Sequence, residues 1–158
     1  MGREVVGGEM KEILKRIKNK LIANLSGNNT IVIMPPDVAE LVGSEIQKLP
    51  FVAIAPLGTQ REVQSTRHIL PTHTIQLTVL DHFPEKEETI VGGSGVKGII
   101  QHCQDIIDII EFNTLDNYLI KGALSVTDIT YRSLDRERQY FQIAIMTVLV
   151  HAPLETKT

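Results

Sequence analysis

The run "RQYFQIAIMTVLVHA", from Arg138 to Ala152, constrains the fold of this chain more than any other stretch. Alternation places Phe141, Ile143, Ile145, Thr147 and Leu149 on one side of a strand, and Gln142, Ala144, Met146, Val148 and Val150 on the other. Neither row suits water. An antiparallel strand in a two-layer domain normally turns a polar row to solvent, so the second apolar row needs its own cover, from a helix layer or from another subunit.

The remaining elements can be read around that strand. The spacing of Met10, Ile13, Leu14, Ile17, Leu21, Ile22 and Leu25 predicts an amphipathic first helix that ends at "SGNN". Lys11, Lys15, Arg16, Lys18 and Lys20 lie largely off that stripe and read as a solvated face. "TIVIMPPDVAELVGSEIQKLP" follows as a short apolar run, a double-proline break and a short helix over about 37–48. "FVAIAPLG" and "THTIQLTVLDHF" predict two paired strands, and the charged "TQREVQSTRHILP" between them predicts either a protruding arm or an extension of both.

Beyond the acidic turn "PEKEET", Val96, Ile99, Ile100, Cys103, Ile106, Ile107 and Ile110 share one helical stripe, with Cys103 on its buried side. "GALSVTDITYRS" and the opening strand then form a hairpin joined by "LDRERQ". In the first of these the apolar row passes from Leu124 and Val126 to Ile129 and Tyr131. That change of parity predicts a β-bulge near Thr127 and Asp128, with the Asp128 carboxylate outward.

The order α-α-β-β-α-β-β gives the fold class α+β, with a mixed or antiparallel sheet of about four strands and helices mainly on one face. At 158 residues the chain suits a single domain spanning 1–158, with 1–8 and 153–158 expected as flexible ends. Nineteen acidic against sixteen basic residues argue against a surface dedicated to gripping phosphate backbones. The lone Cys103 cannot form an intrachain disulfide, which makes a cytosolic setting the default. No window approaches the roughly 18 apolar residues of a membrane span, so no membrane partner is expected.

No catalytic residue, cofactor site or metal site is expected. "GSGVKG", from Gly93 to Gly98, is a literal G-x-G-x-x-G, but a dinucleotide site wants a solid strand before it and an acidic residue about 20 positions on at a strand end. Here only "TIV" precedes it, so it reads as a loop that starts a helix, with Gly98 packing closely. His68, His73, His82, His102 and His151 show no zinc-clasp spacing and read as surface or strand-edge residues. Glu85, Glu87 and Glu88 read as a solvated turn. What remains is association, through two charged protrusions beside a doubly apolar strand. The candidate subunit or partner contacts are Arg61, Glu62, Arg67 and His68 in the first protrusion and Arg132, Asp135, Arg136 and Arg138 in the second.

From about Lys11 to Ala152 the chain resembles the tail-terminator proteins of long-tailed bacteriophages, which join tail to head. The resemblance is carried by the first helix ending in "LIANLSG", by "LPFVAIAPLG" entering a charged arm, and by "HTIQLTVLDHF" before a polar turn. The helix "GVKGIIQHCQDIIDII" and the final hairpin "NYLIKGALSVTDITYRSLDRERQYFQIAIMTVLVHA" complete it. The resemblance implies a structural virion protein at the head–tail junction, assembled in the host cytoplasm. Its copies would form a homo-oligomeric ring, a hexamer, between the tail tube protein and the head connector or stopper protein, with genomic DNA passing through the lumen without specific binding. The alternatives are another neck or head-completion ring protein, a monomeric adaptor, or a nucleotide-binding enzyme using residues 93–98.

Overall fold

The computed structural model describes residues 3–4, 9–25, 30–35, 50–83, 90–93, 97–136 and 139–157. Among them the elements are β1 (Arg3–Glu4), α1 (Met10–Asn24), β2 (Thr30–Ile33), β3 (Phe51–Val63), β4 (His68–Phe83), α2 (Ile99–Ile110), β5 (Leu124–Arg136), β6 (Gln139–His151) and β7 (Glu155–Lys157). The class is α+β with one mixed sheet, as expected. It holds seven strands rather than about four, because three short strands join the four long ones.

Across the sheet the long strands run β3, β4, β6, β5, each antiparallel to its neighbour. The apolar run "TIVI" is a strand, β2, and pairs parallel with β3, Thr30 opposite Phe51 and Ile33 opposite Ile54. A parallel pair demands a crossover; that crossover, and with it the short helix expected over 37–48, lies outside the described residues. The carboxyl end is not free throughout: β7 continues the line of β6 along β4, with Ile69 opposite Glu155, and the Ala152 amide donates to the Pro71 carbonyl.

β6 is central, hydrogen-bonded to β4 on one side and β5 on the other, and its two apolar rows enter two different clusters on opposite faces. Its Ala144, Met146, Val148 and Val150 are fully buried in the main core with Val52, Ile54, Leu77 and Val79 of the sheet, Ile13, Ile17 and Leu21 of α1, and Ile99, Cys103, Ile106 and Ile110 of α2. Burying each of the larger side chains contributes roughly 1.5–3 kcal/mol. Both described helices therefore cover one face. The apolar stripes are narrower than the sequence suggests, since Ile22 and Ile100 are exposed.

The opposite row of β6 builds a second, smaller cluster on the far face. There Ile143 is buried with Phe51, Ala53 and Leu80, and Val32, Met34, Phe141 and Ile145 pack against them. Toward the carboxyl end of the row Thr147 and Leu149 are half-buried. The second apolar row thus starts inside the chain's own core and emerges along the strand.

The expected bulge is present. Val126 faces Val148 and Asp128 faces Thr147, which leaves Thr127 as the extra residue. It returns Ile129 to the helix-covered face, opposite Met146, and leaves Asp128 exposed.

Candidate functional site

The charged arm is an extension of both strands rather than a separate loop. β3 and β4 stay paired out to Val63 opposite Ile69, and the Gln64 amide donates to the His68 carbonyl at 2.9 Å to close the turn. Ser65 Oγ and His68 Nδ1 lie 2.7 Å apart, Glu62 and Arg67 are exposed, and His68 is half-buried. Arg61 is not a free contact: its Nη2 sits 3.5 Å from Oε2 of Glu155, a carboxylate 6% exposed on β7.

The β5–β6 hairpin is also paired to its end, with Asp135 opposite Tyr140 and Arg136 opposite Gln139. Arg132 is exposed and stands across from Ile143 on the far face. The side chains of Asp135 and Arg136, and Arg138 altogether, lie outside the described residues.

The two sets of candidate contacts are not brought together. Thr72 of β4 faces His151 and Phe83 faces Tyr140, so the end of β3 at Val63 and the end of β5 at Arg136 sit at opposite ends of the sheet. The fifteen steps of β4 from His68 to Phe83 span up to about 50 Å at ~3.3 Å per residue. The sequence does not reveal this separation, which follows from the pairing of β4 with β6.

The remaining polar groups form internal contacts. His73 and His102, expected as surface or strand-edge residues, are mostly buried: Thr59 Oγ1 lies 2.7 Å from His73 Nδ1, and His102 Nε2 lies 2.7 Å from Asp81 Oδ2. Next to this second pair, Gln142 faces Asp81 across the sheet and donates to Ser133 Oγ at 2.6 Å. Among the described residues no group of three His, Cys, Asp or Glu side chains could hold a metal ion. Cys103 is buried, and loss of hydration pushes its thiol up to about 12, far from a nucleophile's range.

The basic side of α1 is not simply solvated. Arg16 donates to the Leu115 carbonyl at 3.1 Å and stacks 4.3 Å from the centre of the Tyr118 ring, while Lys20 Nζ is 2.7 Å from Asp116 Oδ1. The hydrogen bond from Lys20 holds the Asp116 carboxyl below the usual carboxylate range. These side chains clasp the loop after α2, in which Phe112, Leu115, Asp116 and Asn117 all adopt positive φ. The backbone acceptor on Leu115 has no signature in the sequence.

Among the described residues no strand leads into the glycine loop. Ile90 and Val91 are helical rather than extended, residues 94–96 lie outside the described residues, and Gly98 is wedged against backbone: a Cβ there would meet the Ile90 carbonyl oxygen at 2.3 Å. Gly98 thus serves close packing at the start of α2.

No protein-family model matches the sequence, and no curated protein matches it. Among solved structures, a chain described as "Virion of native gene transfer agent (GTA) particle" is similar in fold, with a TM-score of 0.52 and 9% sequence identity over 89% of this chain and 95% of that one. At that identity the likeness is one of fold.

Proposed function

We propose that the chain is a structural virion protein of a tailed, phage-like particle and acts as its tail terminator. Its copies form a hexameric ring that caps the tail tube and joins it to the head connector, and DNA passes through the lumen without specific binding. The observation that carries this reading is the fold shared, nearly end to end, with a chain of a gene transfer agent virion. Two further features support it. The charged hairpin ends lie at opposite ends of the sheet, where one chain can reach two different partners. The net charge of −3 suits a conduit that does not hold phosphate.

The test is the solution mass of the purified chain by light scattering across a concentration series, with negative-stain images of the same samples. Annular particles at a closed multiple, six in particular, are the expected result. A strict monomer at every concentration, with no annular particles, overturns a ring that assembles from this chain alone.

A further inference from the structure

The sheet ends in two strand edges that nothing among the described residues pairs. β2 covers the outer side of β3 only along 51–54, leaving 56–63 open. On β5 the first residues are held from outside, since the Phe112 amide donates to the Leu124 carbonyl and the Val126 amide donates to Glu111 Oε2, whereas 128–136 pair with β6 alone. The two open stretches are of nearly equal length and lie on opposite sides of the sheet. An uncovered edge is a template for another strand.

We infer that the open edge of β5 in one copy pairs antiparallel with the open edge of β3 in the next, joining the copies into a continuous sheet. This rests on the ring reading above and deepens it by naming the surface between copies. Directly opposed residues must project to the same face. On β3, Glu62 is opposite Leu70 and projects to the far face, while Val63 is opposite Ile69 and projects to the helix-covered face. On β5, Arg132 is opposite Ile143 and projects to the far face, while Tyr131 is opposite Ala144 and projects to the helix-covered face. One antiparallel register therefore sets Arg132 against Glu62 and Tyr131 against Val63 at once.

Both matches fit the chemistry. Neither Glu62 nor Arg132 has an ion-pair partner among the described residues, and their charges are opposite. Val63 and Tyr131, 70% and 46% exposed, are apolar side chains that this register takes out of water. A self-pairing of β5 about Thr130 would also match charge, Asp128 to Arg132, but it saturates at two copies and leaves the edge of β3 open. A closed ring needs two different surfaces on each copy.

The register carries a geometric consequence. Within one chain Arg132 stands level with Leu80, and Glu62 level with Leu70, ten residues away along β4. Joined copies are therefore displaced along the strands by about 33 Å at ~3.3 Å per residue. Closure requires strands oblique to the ring axis, as in a barrel; strands parallel to the axis would give a helical filament.

The experiment mixes a Glu62→Cys chain with an Arg132→Cys chain under mild oxidation, with each alone and Thr130→Cys alone as controls; the buried native Cys103 does not compete. In parallel, Glu62→Arg, Arg132→Glu and the double exchange are assayed for solution mass, with circular dichroism confirming the fold. A cross-link confined to the mixed sample is expected, together with a tenfold or greater rise in the concentration needed for assembly in each single reversal and recovery in the double. Self-cross-linking of Thr130→Cys or of either single variant overturns the inferred pairing in favour of a two-fold interface. Closed wild-type rings indifferent to both charge reversals, with no mixed cross-link, overturn the pairing and leave the ring reading standing. A wild-type chain that is monomeric throughout and gives no mixed cross-link overturns the pairing, together with a ring that assembles from this chain alone.

Discussion

His102 on α2 and Asp81 on β4 meet through a 2.7 Å hydrogen bond between Nε2 and Oδ2, with side chains only 14% and 8% exposed. This contact fixes the rotation of α2 over the sheet, because it is a polar tether beside a helix otherwise held by the apolar stripe of Ile99, Cys103, Ile106 and Ile110. Asp81→Ala strands a mostly buried imidazole and is expected to destabilise by about 1–3 kcal/mol. His102→Ala should have a similar effect, and the double variant should lose less than the sum by about 0.5 kcal/mol or more in urea melts. Strict additivity would show that the two side chains contribute separately.

Cys103 predicts a pH dependence. Its thiol is raised from 9.0 to about 12 in the folded chain, so the folded state holds the proton over a range where the unfolded chain releases it. The contribution to stability is complete below pH 9 and is lost as pH rises toward 12. Cys103→Ala should remove this component of the alkaline decline. Native protein at pH 8 should leave a thiol reagent nearly unreacted until urea unfolds it, and rapid labelling without denaturant would contradict the burial.

Gly98 predicts a steric effect. With Ile90 and Gly92 backbone atoms inside 2.6 Å of any added Cβ, Gly98→Ala must displace the start of α2. The expected loss is about 1–3 kcal/mol, read as a lower urea midpoint with unchanged slope. Wild-type stability in this variant would mean that the 90–93 turn moves freely.

Arg16 predicts a clasp. Its guanidinium serves the Leu115 carbonyl, the Tyr118 ring and Glu12 together. Arg16→Ala is expected to destabilise by roughly 1–2 kcal/mol, and Arg16→Lys should recover little, since an ammonium cannot stack and donate in the same plane. Faster amide exchange should appear in the loop 111–119 and not in β6. Full rescue by lysine would reduce the contact to simple charge.

Much of this was legible because a residue pattern left one solution. Val126 followed by Ile129 keeps an apolar row on one face only with an extra residue between, and the bulge at Thr127 is that residue. The two apolar rows of 139–151 require cover on both faces, and the row from Ala144 to Val150 lies under the helices while Ile143 is buried in the far-face cluster. Other features had no local signal. β2 is four residues long and exists through parallel pairing with β3, and "ETK" contains nothing apolar to announce β7. The partner of Arg61 is a carboxylate near the opposite end of the sequence, and His102 finds Asp81 only once α2 lies on the sheet. At the candidate surface the residue types could be read, but the opposite directions of the two hairpins follow from one pairing between distant strands.

The central place of β6 sets the order in which the molecule can form. β5 joins β4 and β3 only through a strand that leaves the ribosome after all three, so residues 1–138 emerge with the β6 edge of β4 uncovered and β5 without its partner. Synthesis at roughly 5–20 residues per second makes this exposure last for seconds. Productive folding is therefore a late event that closes around one final strand, and nascent chains stalled before residue 139 are the species most in need of a chaperone.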